Sequence, residues 1–374
     1  MGHVARNARL LGVALAAALS VAVPASLASD QAFNGDVQLI EHWNGAAWKV
    51  TRAKGAPADA DLAAVTGVSA HDVWAVGSYV YDDPTDRPYA EHFNGASWKP
   101  FLLPVPNPNG DYPDAWLGAV SASSASNVWA VGRGTQRAMI EHFNGQRWEL
   151  SGAVRPDGSE LLGVAAVARR DVWAVGWTPA RNWDSRPLIE HWTGSGWRLV
   201  ASPHPRGNDE LLAISARSAS DVWAVGDSQI PGLNQYHALV VHWNGRRWSR
   251  VDCPIPFGGG TLEAVAAISA DDVWAVGSYE NRGAPLIEHW DGHSWHIVRG
   301  PRSVVGDLTA VSAVSSTDVW AVGWRKGAKT LAEHWDGHSW TLVATGPRTR
   351  DEFYGIAAVS SKDFWAVGGS GAPY

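Results

Sequence analysis

Cysteine, methionine and positive charge are all scarce in this chain. Its 374 residues include one Cys and two Met, and 30 Lys and Arg stand against 37 Asp and Glu. The lone Cys253 excludes an internal disulfide, so packing has to stabilise the fold. The net charge of −7 argues against a nucleic-acid partner, because phosphates bind to positive surfaces. The sequence also lacks a Gly-rich phosphate loop and a Cys/His zinc motif.

Long hydrophobic runs are absent after residue 28. Near the N-terminus, two Arg precede an apolar run over Leu10–Val23, and Ser26-Leu27-Ala28 supplies small residues for cleavage after Ala28. This pattern predicts a signal peptide over residues 1–28 and a protein secreted to the extracellular space. The run is short and Ala-rich, so we expect no membrane span. The mature chain, residues 29–374, is expected to form one domain.

Two short patterns alternate along the mature chain, seven times each. The first is Asp-Val-Trp-Ala-Val-Gly, with small variations, and its first residues are Asp72, Asn127, Asp171, Asp221, Asp272, Asp318 and Asp363. The second is Glu-His-Trp-Asn-Gly-x-x-Trp, and its first residues are Glu41, Glu91, Glu141, Glu190, Val241, Glu288 and Glu333. Recurrence every 45–55 residues or so is typical of β-propeller blades.

Each repeat predicts four short antiparallel strands, A to D from the centre outward. The apolar run before the Asp is strand A, Val-Trp-Ala-Val is strand B, Glu-His-Trp lies in strand C, and the last Trp lies in strand D. Asn-Gly or Asp-Gly between C and D is typical of a tight type I′ hairpin turn. Such sheets are apolar on both faces, and a closed ring covers both faces of every sheet. We therefore predict an all-β, seven-bladed β-propeller.

The two ends of the chain predict how the ring closes. The mature chain begins with strands C and D, within Val37–Val50, and finishes with strands A and B, within Tyr354–Val367. Pairing these segments completes the last blade and satisfies two sheet edges at once. The repeats resemble those of secreted bacterial seven-bladed propellers, which are loosely kelch-like and galactose-oxidase-like. The resemblance covers nearly the whole mature chain and implies this architecture.

Function is expected where the repeats are irregular. A His present in every blade, beginning with His42, is better explained as a hydrogen-bonding group of the blade than as a catalytic residue. The B–C and D–A connections are long and variable, and both emerge on one face of the ring. Aromatic side chains outside the repeat pattern are candidate ligand-binding residues on this face. They are Tyr79, Tyr112, Trp116, Trp177, Trp183, Tyr236, Tyr279 and Trp324.

A second candidate feature is a ring of acids at the start of strand A. Five of the seven equivalent positions carry a carboxylate, namely Asp61, Glu160, Glu210, Asp307 and Glu352. Strand A lines the central channel, so these groups should surround its mouth. Like charges held close together would favour a cation, such as Ca²⁺, or a basic ligand, although capping and salt bridges could also explain the acids. No other cofactor is expected.

These observations favour a monomeric, non-catalytic binding protein that recognises a glycan, a cell-wall polymer or a protein through its variable-loop face. One alternative is a secreted carbohydrate-active enzyme, a hydrolase or lyase, that uses carboxylates at the channel mouth. Another alternative is a structural scaffold for protein interactions. Spacing along the chain cannot separate these hypotheses, because the ring brings distant residues together.

Overall fold

The computed structural model describes residues 37–80, 85–105, 114–152, 156–180, 184–203, 207–229, 235–254, 258–280, 283–302, 304–327, 329–346 and 351–370. The predicted signal peptide lies outside these residues. The described residues form 28 strands and no helix. The all-β class expected from the repeats is therefore confirmed.

The strands fall into seven groups of four and are numbered in chain order. The first seventeen are β1 Val37–Trp43, β2 Trp48–Thr51, β3 Ala60–Ser69, β4 Asp72–Val80, β5 Asp86–Phe93, β6 Trp98–Leu102, β7 Trp116–Ser124, β8 Asn127–Arg133, β9 Ala138–Phe143, β10 Trp148–Leu150, β11 Glu160–Ala168, β12 Asp171–Pro179, β13 Ser185–Trp192, β14 Trp197–Leu199, β15 Asn208–Ser218, β16 Asp221–Gln229 and β17 Tyr236–Trp243. The others are β18 Trp248–Arg250, β19 Gly260–Ser269, β20 Asp272–Tyr279, β21 Pro285–Trp290, β22 Trp295–Ile297, β23 Gly306–Ser315, β24 Asp318–Arg325, β25 Lys329–Trp335, β26 Trp340–Leu342, β27 Asp351–Ser360 and β28 Asp363–Ser370.

Six blades are formed by consecutive strands, and the seventh joins the two ends of the chain. Blades one to six run from β3–β6 to β23–β26, each with its strands in the order A-B-C-D. Blade seven has the order β27-β28-β1-β2, so that β1 pairs with β28 over seven residue pairs, from Val37 with Ser370 to Trp43 with Phe364. The predicted closure of the ring is confirmed.

Tryptophan fills the wedge between neighbouring blades. In every interface, the Trp of strand B meets the strand-D Trp of the next blade edge to face, with ring centroids 5.1–5.6 Å apart. Trp365 and Trp98 form this contact between blades seven and one. Edge-to-face packing is a favoured geometry for indole rings. The same contact therefore recurs around the whole ring, across the closing interface included.

The repeated His holds strands B and C together. Each His donates from Nε2 to the Asp or Asn that opens strand B, at 2.7–2.9 Å. Each imidazole also packs on the indole of the strand-B Trp, with centroids 3.8–4.5 Å apart. The imidazole therefore has both a hydrogen-bond partner and a stacking partner, which explains why every blade keeps this His. The structural interpretation of the repeated His is confirmed.

The C–D hairpins are longer than a two-residue type I′ turn. In blade one, Phe93 pairs with Trp98, which leaves four residues in the loop. The Asn94 side chain accepts hydrogen bonds from the amides of Ala96 and Ser97, at 3.0 Å each. Gly95 has a φ of 90°, and the equivalent Gly has a φ between 86° and 96° in every blade. Only Gly adopts this conformation readily, so the Asn-Gly signal marks the turn correctly but not its length.

A β-bulge early in strand A shapes the centre of the ring. The register between strands A and B shifts by one residue at the same point in all seven blades, as at Leu62/Ala64 in β3. The bulged residue has no opposite residue in the register of strand B, and a bulge can re-aim a side chain. The residues at this position are Ala63, Gly118, Leu162, Leu212, Glu263, Thr309 and Tyr354.

Candidate functional site

The channel mouth lies where strand A begins and strand B ends. Asp61 pairs with Ser78 at this end of blade one, and the equivalent pairs recur in the other blades. The variable B–C and D–A connections leave the sheets at the same end. We use the term mouth for the side chains at the start of strand A and the end of strand B, together with the bulged residues one step below them. Most of the variable segments fall partly outside the described residues.

Two acids of the predicted ring come from adjacent blades and repel each other. Glu160 begins β11, and Glu210 lies in β15, opposite Asp227 of β16. Burial raises the pKa of Glu160 to about 7, with a further rise from Glu210, although the Arg133 guanidinium opposes it. Burial also raises the pKa of Glu210 to about 7. With both pKa values near 7, the two carboxyls are partly protonated at neutral pH and do not carry two full charges.

The remaining acids of the predicted ring continue around blades six, seven and one. Burial and then repulsion from Glu352 raise the pKa of Asp307 to about 6. Burial also raises the pKa of Glu352. Asp61 lies beside Gly369, the strand partner of Glu352, since a Cβ on that glycine would be 3.0 Å from Asp61 Oδ1. Asp61 Oδ1 also accepts a hydrogen bond from the Leu62 amide at 2.9 Å.

Two further acids at the mouth escaped sequence reasoning. Glu263 is the bulged residue of β19 and is 1% exposed, and Asp227 is 2% exposed. Burial raises the pKa of Glu263 well above its ordinary value, helped by repulsion from Asp307 and Asp227. In blade five, Thr261 occupies the position that carries an acid in the predicted ring. Glu263 lies two residues later and so falls outside that alignment. An acid within the apolar run of β19 was the signal that could have identified Glu263.

Apolar side chains form another part of the mouth. Trp116, Leu162 and Leu212 are buried against one another, and Ala63 and Trp177 pack on them. These residues come from blades one to four, so their contact lies at the centre of the ring. The Trp177 side chain also interacts with Glu160 and lowers the pKa of that carboxyl, against the larger effect of burial. Aromatic and carboxyl groups therefore meet in one place.

The other predicted aromatic residues are spread around the ring at strand ends. Tyr79 packs edge to face on Tyr89, and Tyr279 packs on the core between blades four and five. Tyr236 is buried, and its amide donates to Glu280 of blade five at 3.0 Å. Trp324 is half-buried opposite Asp307. Tyr112 and Trp183 lie outside the described residues. A ligand-binding role for each of these residues stays a prediction.

The spacing of the acids bears on what the mouth could hold. Within the described ranges, no group of three or more His, Cys, Asp or Glu side chains is arranged to hold a metal ion. Calcium at the acidic ring therefore stays a prediction without a visible ligand set.

Among the residues that the structure describes, no helix is long and apolar enough to cross a membrane.

Comparison with known proteins gives the fold but no family. No protein-family model matches the chain, and no curated protein matches its sequence. It is similar to the structure of YCF48 bound to a D1 peptide, with 14% identity, a TM-score of 0.57, and coverage of 91% of this chain and 95% of that one. YCF48 from Cyanidioschyzon merolae gives 13% identity, a TM-score of 0.56, and coverage of 86% and 96%. The structure of a polysaccharide lyase, an ulvan lyase, gives 11% identity and a TM-score of 0.51, with coverage of 83% of this chain and 91% of that one. At such identities the likeness shows the fold alone.

Proposed function

We propose that this protein is a non-catalytic extracellular binding protein that recognises a glycan, a cell-wall polymer or a protein through its variable-loop face. The observation that carries the proposal is the composition of the mouth, where Trp177 and a buried apolar group meet Glu160 and other carboxyls. Apolar walls with a few convergent polar groups are typical of ligand sites. The proposed secretion rests on the signal peptide predicted over residues 1–28.

The first experiment is a binding screen with the secreted mature protein. Immobilised glycans, isolated cell-wall polymers and secreted proteins are the three ligand sets. Trp177→Ala should weaken binding of a ligand found in the screen by at least tenfold, because the half-buried indole is part of the mouth. Leu342→Ala is the control, since Leu342 is 46% exposed on the outer strand β26, far from the channel. Absence of any ligand, or equal loss in both variants, would contradict the proposal.

A carbohydrate-active enzyme is the second candidate, and one observation favours it. Glu160 and Glu210 interact electrostatically, and both pKa values are raised to about 7. A carboxyl that stays protonated near neutral pH can act as a general acid in glycoside cleavage. Incubation of the protein with polysaccharides, followed by measurement of reducing ends, tests this hypothesis. An enzyme would lose turnover and retain binding in Glu210→Gln, whereas a binding protein would release no reducing ends at all.

A further inference from the structure

The acids at the mouth are concentrated on blades four to six. The buried carboxyl of Asp227 is repelled by the carboxyls of Glu210, Asp209 and Glu280. The buried carboxyl of Glu263 is repelled by those of Asp307 and Asp227. Glu263 therefore lies between acids of the blades on either side of its own. We call Asp227, Glu263 and Asp307 the acidic wall.

The acidic wall contains buried oxygens without a partner. Glu263 Oε2 and Asp227 Oδ2 make no hydrogen bond among the described residues, although both side chains are at least 98% buried. The Tyr236 hydroxyl, whose pKa burial and then the nearby acids raise, is likewise buried without a hydrogen bond in the described part of the chain. An unpaired buried polar group costs free energy, so these atoms are suited to a donor supplied from outside.

The acids of the wall repel one another, and their spacing favours a large cation over a small one. No three acids of the described residues are placed to hold a metal ion, whereas a guanidinium spreads five N–H donors over a broader plane. The neighbouring apolar group of Trp116, Leu162, Leu212 and Trp177 suits the aliphatic stem of a basic side chain.

We propose that the channel mouth binds a basic side chain, an arginine or lysine, of a peptide or protein partner, with its cationic head on Asp227, Glu263 and Asp307 and its stem on the apolar group. This inference rests on the proposed function and narrows its ligand to a cationic peptide segment. Arginine fits best, because its fork of donors can meet several carboxyl oxygens at once.

Calorimetric titration of the mature protein with acetyl-tetra-arginine amide tests the proposal. Acetyl-tetra-citrulline amide is the matched probe, since it has nearly the same shape without the charge. We expect heat from the arginine peptide and at least tenfold weaker binding of the citrulline peptide. Binding should also weaken at least tenfold in Asp227→Asn and in Glu263→Gln, with thermal melting used to confirm that both variants are folded.

Asp157→Asn is the control variant. Asp157 is an exposed acid that pairs with Arg137 at 2.7 Å, so its loss removes one negative charge without touching the mouth. Equal binding of both peptides, unchanged affinity in Asp227→Asn, or an effect as large in Asp157→Asn would overturn the proposal. Heat from CaCl2 that Glu263→Gln abolishes would also overturn it, in favour of a metal site. A neutral glycan that binds the mouth while the arginine peptide does not would refute this inference alone and leave the proposed function standing.

Discussion

Replacing Glu141 by Val should reduce the loss of stability that accompanies a rise in pH from 4.5 to about 8. Strand C carries a Glu in six blades, and each of these side chains is fully buried. In blade four, Val241 occupies the equivalent position, so the fold already accommodates an apolar side chain there. Neither carboxyl oxygen of Glu141 has a hydrogen-bond partner among the described residues. Burial raises its pKa from an ordinary 4.5 to about 8.

The size of the effect follows from this pKa difference. Between pH 4.5 and 8, the unfolded chain has released the Glu141 proton and the folded protein has kept it. The free energy of unfolding therefore falls as pH rises, by up to about 1.4 kcal/mol per pH unit for one carboxyl. From pH 5.5 to 7.5 the loss is on the order of 2 to 3 kcal/mol, and it ends above the folded pKa. Val at this position carries no proton and removes this contribution.

Urea denaturation at pH 5.5, 6.5 and 7.5, followed by tryptophan fluorescence, measures the effect. The stability of Glu141→Val relative to the natural protein should increase steadily with pH. Val241→Glu is the matched reverse variant, and it should steepen the pH dependence of the natural protein. Parallel stability curves for the natural protein and Glu141→Val would refute the reasoning, because they would show that Glu141 is ionised in the folded state.

Three further perturbations test the scaffold. His191→Ala should lower the free energy of unfolding by about 2 kcal/mol, because it removes the hydrogen bond to Asp171 and the stacked ring, and urea denaturation measures this. Gly176→Ala should cost about 1 to 3 kcal/mol in the same assay, since its Cβ would clash with the backbone oxygen of Glu160, whereas Gly196→Ala, with no atom within 4 Å, should be neutral. Removal of residues 363–374 should abolish the single cooperative melting transition, because blade seven loses the strand that joins the two ends of the chain. Unchanged stability in His191→Ala, equal costs for both glycine variants, or a cooperative transition in the truncated chain would count against these explanations.

Sequence reasoning predicted the ring well because the fold repeats the same local rules. Strand B always begins with an Asp or Asn that accepts from the His, and Gly95 and its equivalents provide the left-handed turn residue. The order of strands at the two ends also determined how blade seven closes. The length of the C–D loop was not predictable, because it depends on which aromatic residues pair across the hairpin, as Phe93 and Trp98 do in blade one.

The candidate site depended far more on tertiary structure. The aligned repeats identified the acids at the start of strand A, and with them Glu160 and Glu210. They did not reveal that a bulge brings Glu263 to the mouth, or that Trp116 and Tyr236 are buried. The physical reason is that strand periodicity determines which side chains alternate along one strand, whereas contacts at the channel depend on side chains contributed by several blades. Only the closed ring decides which charges meet, and therefore which carboxyls keep their protons.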